Sequence, residues 1–326
     1  MKKIIFLIMV LFIFAGCGQK NVSEQKYIEE RFLFGTYIQM IVFSDNKDKA
    51  YDAMNEAFKK IAEIDSKYNS KTKNSLIYDL NHSERKEIIL DEEGIMLFNK
   101  VKEVYEMSGG KYDITISPLL DVWGFNTNGR ENVPADEEIQ KALNIIGFDK
   151  VVLEGNKLIL KEPVKEIDTG SFLKGYAVQE ARNILAEKGI KRGFVSSVSS
   201  IATVGGKPDG TPWKIGIQNP ADSEKILGIV EVENKSLGIS GDYQTYVEIN
   251  GKKYHHIMDK ETGYPVKDKK LVVVVCDLAF DADMFSTAFF NMKPEDIFKK
   301  AEVLNADVLI VDSDEKIKTT KSFQLK

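Results

Sequence analysis

The sequence predicts an α+β fold, a single domain of two interleaved lobes built from β-hairpins and helices. Two observations predict this class. Helical periodicity and hairpin signals recur in both halves of the 326 residues, and they do not alternate as the strand–helix–strand units of a parallel sheet. In addition, no linker or low-complexity segment divides the chain. We therefore expect one large domain rather than independent modules.

The N-terminal segment is predicted to be an export signal. A basic start precedes an apolar run that is too short for an ordinary membrane span and that ends in small residues before Cys17. We expect a lipoprotein signal peptide over residues 1–16, a lipidated Cys17 with a polar tether over 17–30, and the folded domain over 31–326. The protein would then be lipid-anchored at the extracytoplasmic face of the bacterial cytoplasmic membrane. A plain secretory signal with an incidental cysteine is the alternative.

Periodicity and turn residues assign the elements in chain order. Alternating or apolar runs predict strands at 34–43, 193–204 and 213–218. Helical spacing predicts helices at 47–64, 92–107 and 171–188. Turn signals predict hairpins over 150–161, around Glu154-Gly155-Asn156, and over 244–258, around Asn250-Gly251. The chain then ends as strand, helix, helix and strand, over 270–278, 281–291, 294–304 and 306–311.

Composition narrows the function classes. The net charge of −5 argues against a nucleic-acid surface. Cys276 lies in an apolar run and is predicted to be a buried core thiol, so that no intrachain disulfide forms if Cys17 is lipidated. Three histidines are too few for a histidine-rich metal site. Any bound metal is therefore expected to have oxygen ligands.

An acid and a hydroxyl four residues apart form the first candidate site. Asp283 and Thr287 lie on one face of the predicted helix at 281–291. Two oxygens in this arrangement suit Mg²⁺, which takes its remaining ligands from substrate phosphates and water. A capped helix is the alternative, in which Asp281 or Asp283 offsets the macrodipole and Thr287 bonds within the helix.

Three further clusters contain candidate residues. Asp168, a glycine turn and Lys174 surround the start of the helix at 171–188, which suits an anion; a solvated lysine beside a glycine-bearing helix start is the alternative. The segment 108–115, with the aromatic residues that follow it, suits a planar ring or a simple helix C-cap. His255 and His256 offer a base that titrates near neutral pH, although adjacent histidines are often structural.

Eight segments together resemble the FAD:protein FMN transferase family, the ApbE-like flavin-trafficking lipoproteins. They follow the family's order and are Phe34-Gly35-Thr36-Tyr37, Ser66-Lys67-Tyr68, and residues 109–125, 168–177, 213–217, 240–243, 255–265 and 283–287. The resemblance implies an ApbE-like domain with its ligand in the cleft between the lobes. It also implies Mg²⁺-dependent transfer of the FMN moiety of FAD to a threonine hydroxyl of an acceptor protein, with release of AMP. The implied acceptor is a subunit of a membrane redox complex.

The resemblance also assigns roles to single residues. It implies that Mg²⁺ is held by the side chains of Asp283 and Thr287 and by the backbone carbonyl of Ser171. It places the candidate base at His256. The implied flavin and nucleotide contacts are Phe34, Tyr68, Lys111, Tyr112, Asp113, Asp168, Lys174 and Ile257.

Two rival functions share the same site. One is an FAD pyrophosphatase that yields FMN and AMP, and the other is a non-catalytic flavin-binding carrier lipoprotein. The ring of Tyr68, if it covers the site, favours transfer over hydrolysis. Val198 and Ser199 stand where the family commonly has two glycines. Their side chains are predicted to narrow the pocket.

Overall fold

The computed structural model describes residues 24–127 and 129–326. The predicted signal peptide, Cys17 and the first part of the tether lie outside the described residues. No helix among the described residues is both long enough and apolar enough to cross a membrane.

Helices and strands are mixed along the whole described chain. The helices are α1 (Lys47–Tyr68), α2 (Leu76–His82), α3 (Glu92–Met107), α4 (Ser117–Val122), α5 (Asp136–Leu143), α6 (Leu173–Glu187), α7 (Ala279–Asn291) and α8 (Pro294–Val303), with a 3₁₀ turn at Phe148–Lys150. The strands are β1 (Gln25–Leu33), β2 (Thr36–Ser44), β3 (Glu87–Ile89), β4 (Val151–Glu154), β5 (Lys157–Leu160), β6 (Arg192–Ser197), β7 (Ser200–Val204), β8 (Trp213–Asn219), β9 (Asp222–Val232), β10 (Ser236–Gly241), β11 (Tyr246–Ile249), β12 (Lys252–His255), β13 (Met258–Asp259), β14 (Tyr264–Pro265), β15 (Lys269–Cys276), β16 (Asp307–Asp312) and β17 (Ile317–Thr319).

An eight-stranded antiparallel sheet, in the order β1-β2-β6-β7-β10-β15-β16-β17, forms the centre of the molecule. Helices α1, α6 and α7 pack on one face and enclose the main apolar core. The β8–β9 hairpin packs on the other face, where Trp213 and Ile215 join the sheet residues Leu237 and Val273 in a second core. The predicted α+β class is confirmed.

A smaller lobe stands beside the sheet. Helices α4 and α5 and the hairpins β11–β12 and β13–β14 meet around Trp123, which is fully buried with Leu119, Ile139 and Met258. The Trp123 indole N–H donates to the Gly263 carbonyl at 2.8 Å, so its polar atom is satisfied inside the lobe. The two lobes expected from the sequence therefore correspond to this small lobe and the layered main body.

Several predicted elements are confirmed. Helix α3 has the predicted bounds, and the hairpin β4–β5 turns at the predicted residues. The hairpin β11–β12 turns at Asn250-Gly251, where both residues have positive φ, as a two-residue turn of this kind requires. Cys276 is buried as predicted, and burial raises the pKa of its thiol to about 12.

Three predictions about elements are wrong. Residues 25–30 are not part of a tether, because they begin the edge strand β1. The strand predicted at 34–43 begins only at residue 36, since Phe34 and Gly35 form the turn between β1 and β2. The strand predicted at 193–204 is a hairpin, β6–β7, whose turn is Val198-Ser199. That turn contains no Gly, Asn or Asp and therefore lacks the usual signal of a two-residue hairpin turn.

Candidate active site

A cavity of about 310 Å³ opens between the small lobe and the main body. The small lobe contributes apolar side chains, including Leu120 and Phe125, whereas the main body contributes many polar residues, including Asp168, Ser240 and Thr287. The cavity brings together these predicted site residues: Lys111, Tyr112, Asp113, Asp168, Ser171, Lys174, His256, Ile257, Asp283 and Thr287. Predicted residues from four separate segments of the chain therefore meet at one place.

Two glycines hold Asp283 close to the neighbouring elements. The Gly175 N–H on α6 donates to Asp283 Oδ2 at 2.8 Å. A Cβ at Gly175 would lie 2.4 Å from Asp283 Cβ, and a Cβ at Gly238 would lie 2.0 Å from the Ala282 carbonyl oxygen. Helix α7 thus packs against α6 and β10 at distances that only glycine permits. This packing fixes the position of the buried Asp283 carboxylate.

The same contact leaves the Ser171 carbonyl available. At the start of a helix, the Gly175 N–H would ordinarily bond the carbonyl four residues earlier, which is that of Ser171. Here it bonds Asp283 instead, and no other group among the described residues donates to the Ser171 carbonyl. The Ser171 hydroxyl lies 2.9 Å from the Tyr112 hydroxyl, which fixes the loop. A carboxylate and a free carbonyl therefore flank one amide.

Hydroxyl groups complete this side of the cavity. Ser240 Oγ lies 2.9 Å from Ser286 Oγ and 3.4 Å from Thr287 Oγ1. Ser286 donates to the Asp283 carbonyl at 2.9 Å, whereas Thr287 reaches that carbonyl only at 3.5 Å. The Thr287 hydroxyl is therefore weakly held within its own helix. Ser240 belongs to a segment that carried the family resemblance, but the sequence assigned it no role.

Helix capping does not explain Asp283. Helix α7 begins at Ala279, has no side-chain cap, and carries Asp281 in its first turn. Asp281 lies 3.2 Å from Lys100 and away from the cavity. The Asp283 carboxylate accepts from α6 rather than from its own helix. The capping alternative is therefore excluded for Asp283.

The electrostatic setting of Asp283 favours a cation. Burial raises the pKa of its carboxyl, and only the Lys174 ammonium and hydrogen bonds oppose this shift. A divalent cation beside the carboxylate would stabilise the charged form. Within the described ranges, no group of three or more His, Cys, Asp or Glu side chains could hold a metal. One carboxylate, one carbonyl and one hydroxyl fit Mg²⁺ when substrate phosphates and water supply the other ligands.

His256 is neutral and has one free ring nitrogen. Its Nδ1–H donates to the Thr245 carbonyl at 3.2 Å, which leaves Nε2 unprotonated. Burial lowers the pKa of His256 to about 4, with the nearby Lys174 charge acting in the same direction. The titration near neutral pH expected from the sequence is therefore wrong for this residue. Thr245, which fixes the tautomer, gave no sequence signal because it acts through its main chain.

His255 has a structural environment instead. Its Nε2–H donates to the Val266 carbonyl at 2.6 Å, and its Nδ1 accepts from the Ile257 N–H at 3.2 Å. Its ring packs edge-on against Phe290. Both nitrogens are used, and burial lowers the pKa of His255. Of the two histidines left open by the sequence, only His256 has a nitrogen available for chemistry.

Two of the predicted ligand contacts are already paired within the protein. The Asp113 carboxylate accepts from the Thr115 N–H at 2.9 Å and pairs with Lys260 at 2.7 Å. Lys111 pairs with Glu261 at 2.6 Å. Both residues line the cavity, but Asp113 is almost fully buried and also holds the loop in place. Their predicted contacts with a ligand stay predictions.

Phe34 lies in a second cavity rather than in the first. This cavity of about 400 Å³ shares Asp168, Gly170 and Lys174 with the first one. Phe34 has φ +54°, and its N–H donates to Asp65 Oδ2 at 2.8 Å. Lys71 lies between the two cavities, 3.1 Å from Asp168 Oδ2 and 2.9 Å from Asn126 Oδ1. The two cavities therefore adjoin at the Asp168 side chain.

Tyr68 is not in the site. It ends helix α1, four residues beyond the predicted end of that helix, and only 1% of its surface is exposed. Its hydroxyl donates to Asp91 Oδ1, and burial together with this bond raises the pKa of the phenol. Tyr68 lines neither cavity. The prediction that its ring covers the site is wrong.

The Val198-Ser199 turn narrows the cavity less than predicted. Ser199 lines the cavity, but the side chain of Val198 does not and is 64% exposed. Of the two side chains expected to fill the space, only the smaller one reaches it.

Fold and cavity together define an α+β protein whose interlobe cavity places buried oxygen donors and a neutral imidazole side by side. A family model described as the ApbE family matches residues 34–310. The chain therefore belongs to the ApbE family.

Named relatives and solved structures agree with this family. A Vibrio cholerae protein named FAD:protein FMN transferase is 28% identical over 322 residues, covering 96% of this chain and 93% of its own length. A Haemophilus influenzae protein of the same name is 29% identical over 287 residues, covering 85% and 80%. The crystal structure of the ApbE protein from Thermotoga maritima has a TM-score of 0.84 at 28% identity, covering 91% of this chain and 98% of that one.

Proposed function

We propose that this protein transfers the FMN moiety of FAD to a threonine hydroxyl of an acceptor protein and releases AMP. The single observation that carries the proposal is the arrangement around Gly175. Its N–H positions the buried Asp283 carboxylate beside the free Ser171 carbonyl, in a cavity that also contains the neutral imidazole of His256. The names of the relatives supply the substrate class.

The two sides of the cavity suit the two parts of FAD. Leu120 and Phe125 on the small lobe offer an apolar surface for a planar ring. Asp283, Thr287 and Ser171 on the opposite side offer oxygen donors for a phosphate-bound cation. Lys174 adds a positive charge near the start of α6, where the amides of the helix N-terminus would also favour an anionic phosphate.

Asp283, Thr287 and the Ser171 carbonyl would hold Mg²⁺. When bound there, the ion would supply positive charge that offsets the negative charge of the pyrophosphate and of departing AMP. His256 Nε2 takes the proton of the acceptor threonine hydroxyl. The threonine oxygen forms a bond to the FMN phosphorus, and the bond from that phosphorus to the bridging oxygen breaks. The bridging oxygen and its electron pair leave with AMP, so that FMN becomes a phosphoester of the acceptor.

The Thr245 carbonyl supports this role of His256 in a specific way. Because it accepts from Nδ1–H, it keeps the lone pair on Nε2 and stabilises the imidazolium that forms when the proton is taken. The low pKa of His256 keeps the base unprotonated at neutral pH, at the cost of weaker basicity. The position of Tyr68 in the core removes the only sequence argument that favoured transfer over hydrolysis, so the choice rests on experiment.

The test is to incubate the purified protein with FAD, Mg²⁺ and an extract of the source cell. We expect a fluorescent flavin band on a denaturing gel, together with release of AMP. The Asp283→Asn protein is the matched control, since it keeps the shape of the side chain and loses its charge. AMP release without a labelled protein would establish the pyrophosphatase, and FAD binding without AMP release would establish the carrier.

We also propose that Cys17 carries a lipid, that the protein faces the extracytoplasmic side of the cytoplasmic membrane, and that its acceptor is a subunit of a membrane redox complex. The short apolar segment before Cys17 supports the anchor. Detergent, but not a salt wash, should then release the wild-type protein from membranes. Quantitative recovery in the salt wash would contradict lipidation.

A further inference from the structure

Three large apolar side chains are exposed together at one end of the central sheet. Phe32 is 63% exposed, Tyr37 62% and Val198 64%. We call these three residues the rim patch. Single exposed apolar residues are common on proteins, whereas large contiguous apolar patches mark interaction sites.

Strand register places the three side chains next to one another. Phe32 on β1 pairs with Tyr37 on β2, and their rings meet edge to face at 5.3 Å. Ile38 on β2 pairs with Ser197 on β6, so the residues one step further, Tyr37 and Val198, are neighbours at the strand ends. These side chains point to the face of the sheet opposite to helices α1 and α6, so these helices do not cover them.

The rim patch is continuous with the cavities of the active site. Val198 and Ser199 form one turn, and Ser199 lines the main cavity. Phe34 and Gly35 form the turn between Phe32 and Tyr37, and both line the second cavity. The same two turns therefore carry the rim patch on one side and the cavities on the other.

The conformation of Val198 adds an independent argument. Its φ is +46°, a region in which a β-branched residue is a genuine outlier. A glycine would adopt this turn without strain, yet here a strained valine exposes its side chain to solvent. Strained residues of this kind cluster at functional sites. Nothing within the described chain covers the side chain and compensates for the strain.

We infer that the rim patch is the docking surface for the acceptor protein, specifically for an extended segment with apolar side chains next to its reactive threonine. This inference rests on the proposed function, which requires a protein to bring a hydroxyl to the cavity. A segment lying across Phe32, Tyr37 and Val198 would lead directly over the Ser199 turn into the cavity. Aromatic residues are also the side chains most enriched among those that dominate protein–protein binding energy.

The test compares patch variants with a distant control. The substrate is the acceptor recovered as the fluorescent band in the preceding experiment, produced in pure form. The variants are the double change Phe32→Ser with Tyr37→Ser, the single change Val198→Gly, and the control Val303→Ser, whose side chain on α8 is 82% exposed. For the double variant we expect a rise of about tenfold or more in KM for the acceptor, with unchanged kcat and unchanged KM for FAD.

Val198→Gly separates docking from folding. Because glycine relieves the strained φ, this variant should unfold at the same or a higher temperature than the wild type. It should nevertheless show a raised KM for the acceptor. A merely structural role for Val198 would instead give a less stable protein with unchanged kinetics, and the control Val303→Ser should match the wild type throughout.

Each other outcome overturns the inference. If the wild type labels the acceptor and the patch variants show the same KM, the rim patch is not the docking surface although the transferase stands. If the wild type labels no protein, the proposed function fails, and the docking role fails with it. If the patch variants abolish a dimer in sedimentation, or abolish flotation with phosphatidylglycerol vesicles, while the acceptor KM is unchanged, the occupant is a second copy or a membrane.

Discussion

Replacing Gly175 by alanine tests whether the tight packing of helices α6 and α7 fixes Asp283, the proposed metal ligand. The added Cβ would lie 2.4 Å from Asp283 Cβ and 2.6 Å from the Ala279 carbonyl oxygen. Carbon atoms in contact prefer separations of about 3.5–4.0 Å. Helix α7 must therefore move away from α6 by roughly 1 Å, and the hydrogen bond from the Gly175 N–H to Asp283 must lengthen.

The effects on stability and on activity differ in size. Overpacking costs about 1–3 kcal/mol, while replacing a helical glycine by alanine returns up to about 1 kcal/mol. The net loss of stability is then about 0–2 kcal/mol. A displacement of about 1 Å at a catalytic group costs on the order of a hundredfold in rate. Activity should therefore fall far more than the unfolding temperature.

The assay measures AMP release as a function of Mg²⁺ concentration, alongside thermal unfolding. We expect Gly175→Ala to need more Mg²⁺ and to turn over FAD about a hundredfold more slowly than the wild type. Gly216→Ala is the control, since its Cβ would meet only the side chain of Ile226, at 3.3 Å. Wild-type turnover of Gly175→Ala at the same Mg²⁺ concentration would refute the reasoning.

Three further predictions concern the polar residues of the site. Asp283→Asn should lose Mg²⁺-dependent AMP release by about a hundredfold or more, yet unfold without metal at the same or a higher temperature, because the amide avoids the burial cost that raises the pKa of the carboxyl. His256→Asn should slow transfer by about a hundredfold with near-normal FAD affinity, whereas His255→Asn should mainly lower the unfolding temperature through its two lost backbone bonds. The acid limb of kcat/KM should lie near pH 4, because the buried His256 gains its proton there as the pH falls. This limb should vanish in His256→Asn. A limb near pH 6.5 in the wild type would contradict the assignment of His256 as the base.

The parts of the site that follow helical spacing could be predicted from the sequence. Asp283 and Thr287 do lie four residues apart on α7 and both line the cavity. The family resemblance predicts that Ser171 belongs to the same site, and Ser171 does line the cavity. The role of Gly175 could not be predicted, since it depends on how closely two distant helices approach. The free Ser171 carbonyl depends on that approach as well.

The errors have local causes. The motif that contains Tyr68 predicts a place in the site, but helix α1 continues to this residue and buries its ring in the core. The Val198-Ser199 turn cannot be predicted from the sequence, because two-residue hairpin turns are recognised by Gly, Asn and Asp, and this turn has none. The pKa of His256 departs from the value for an exposed imidazole because burial is a tertiary property.

If Cys17 carries a lipid, as proposed, the early start of strand β1 limits how far the domain can stand from the membrane. Because Gln25 is already hydrogen-bonded into the sheet, only eight residue steps separate it from Cys17. A fully extended chain of that length spans at most about 28 Å. The shorter tether removes roughly 20 Å of the reach that a domain starting at residue 31 would have. A lipid on Cys17 would therefore restrict this enzyme to threonines that lie close to the bilayer, and acceptors with distant domains would have to bend toward it.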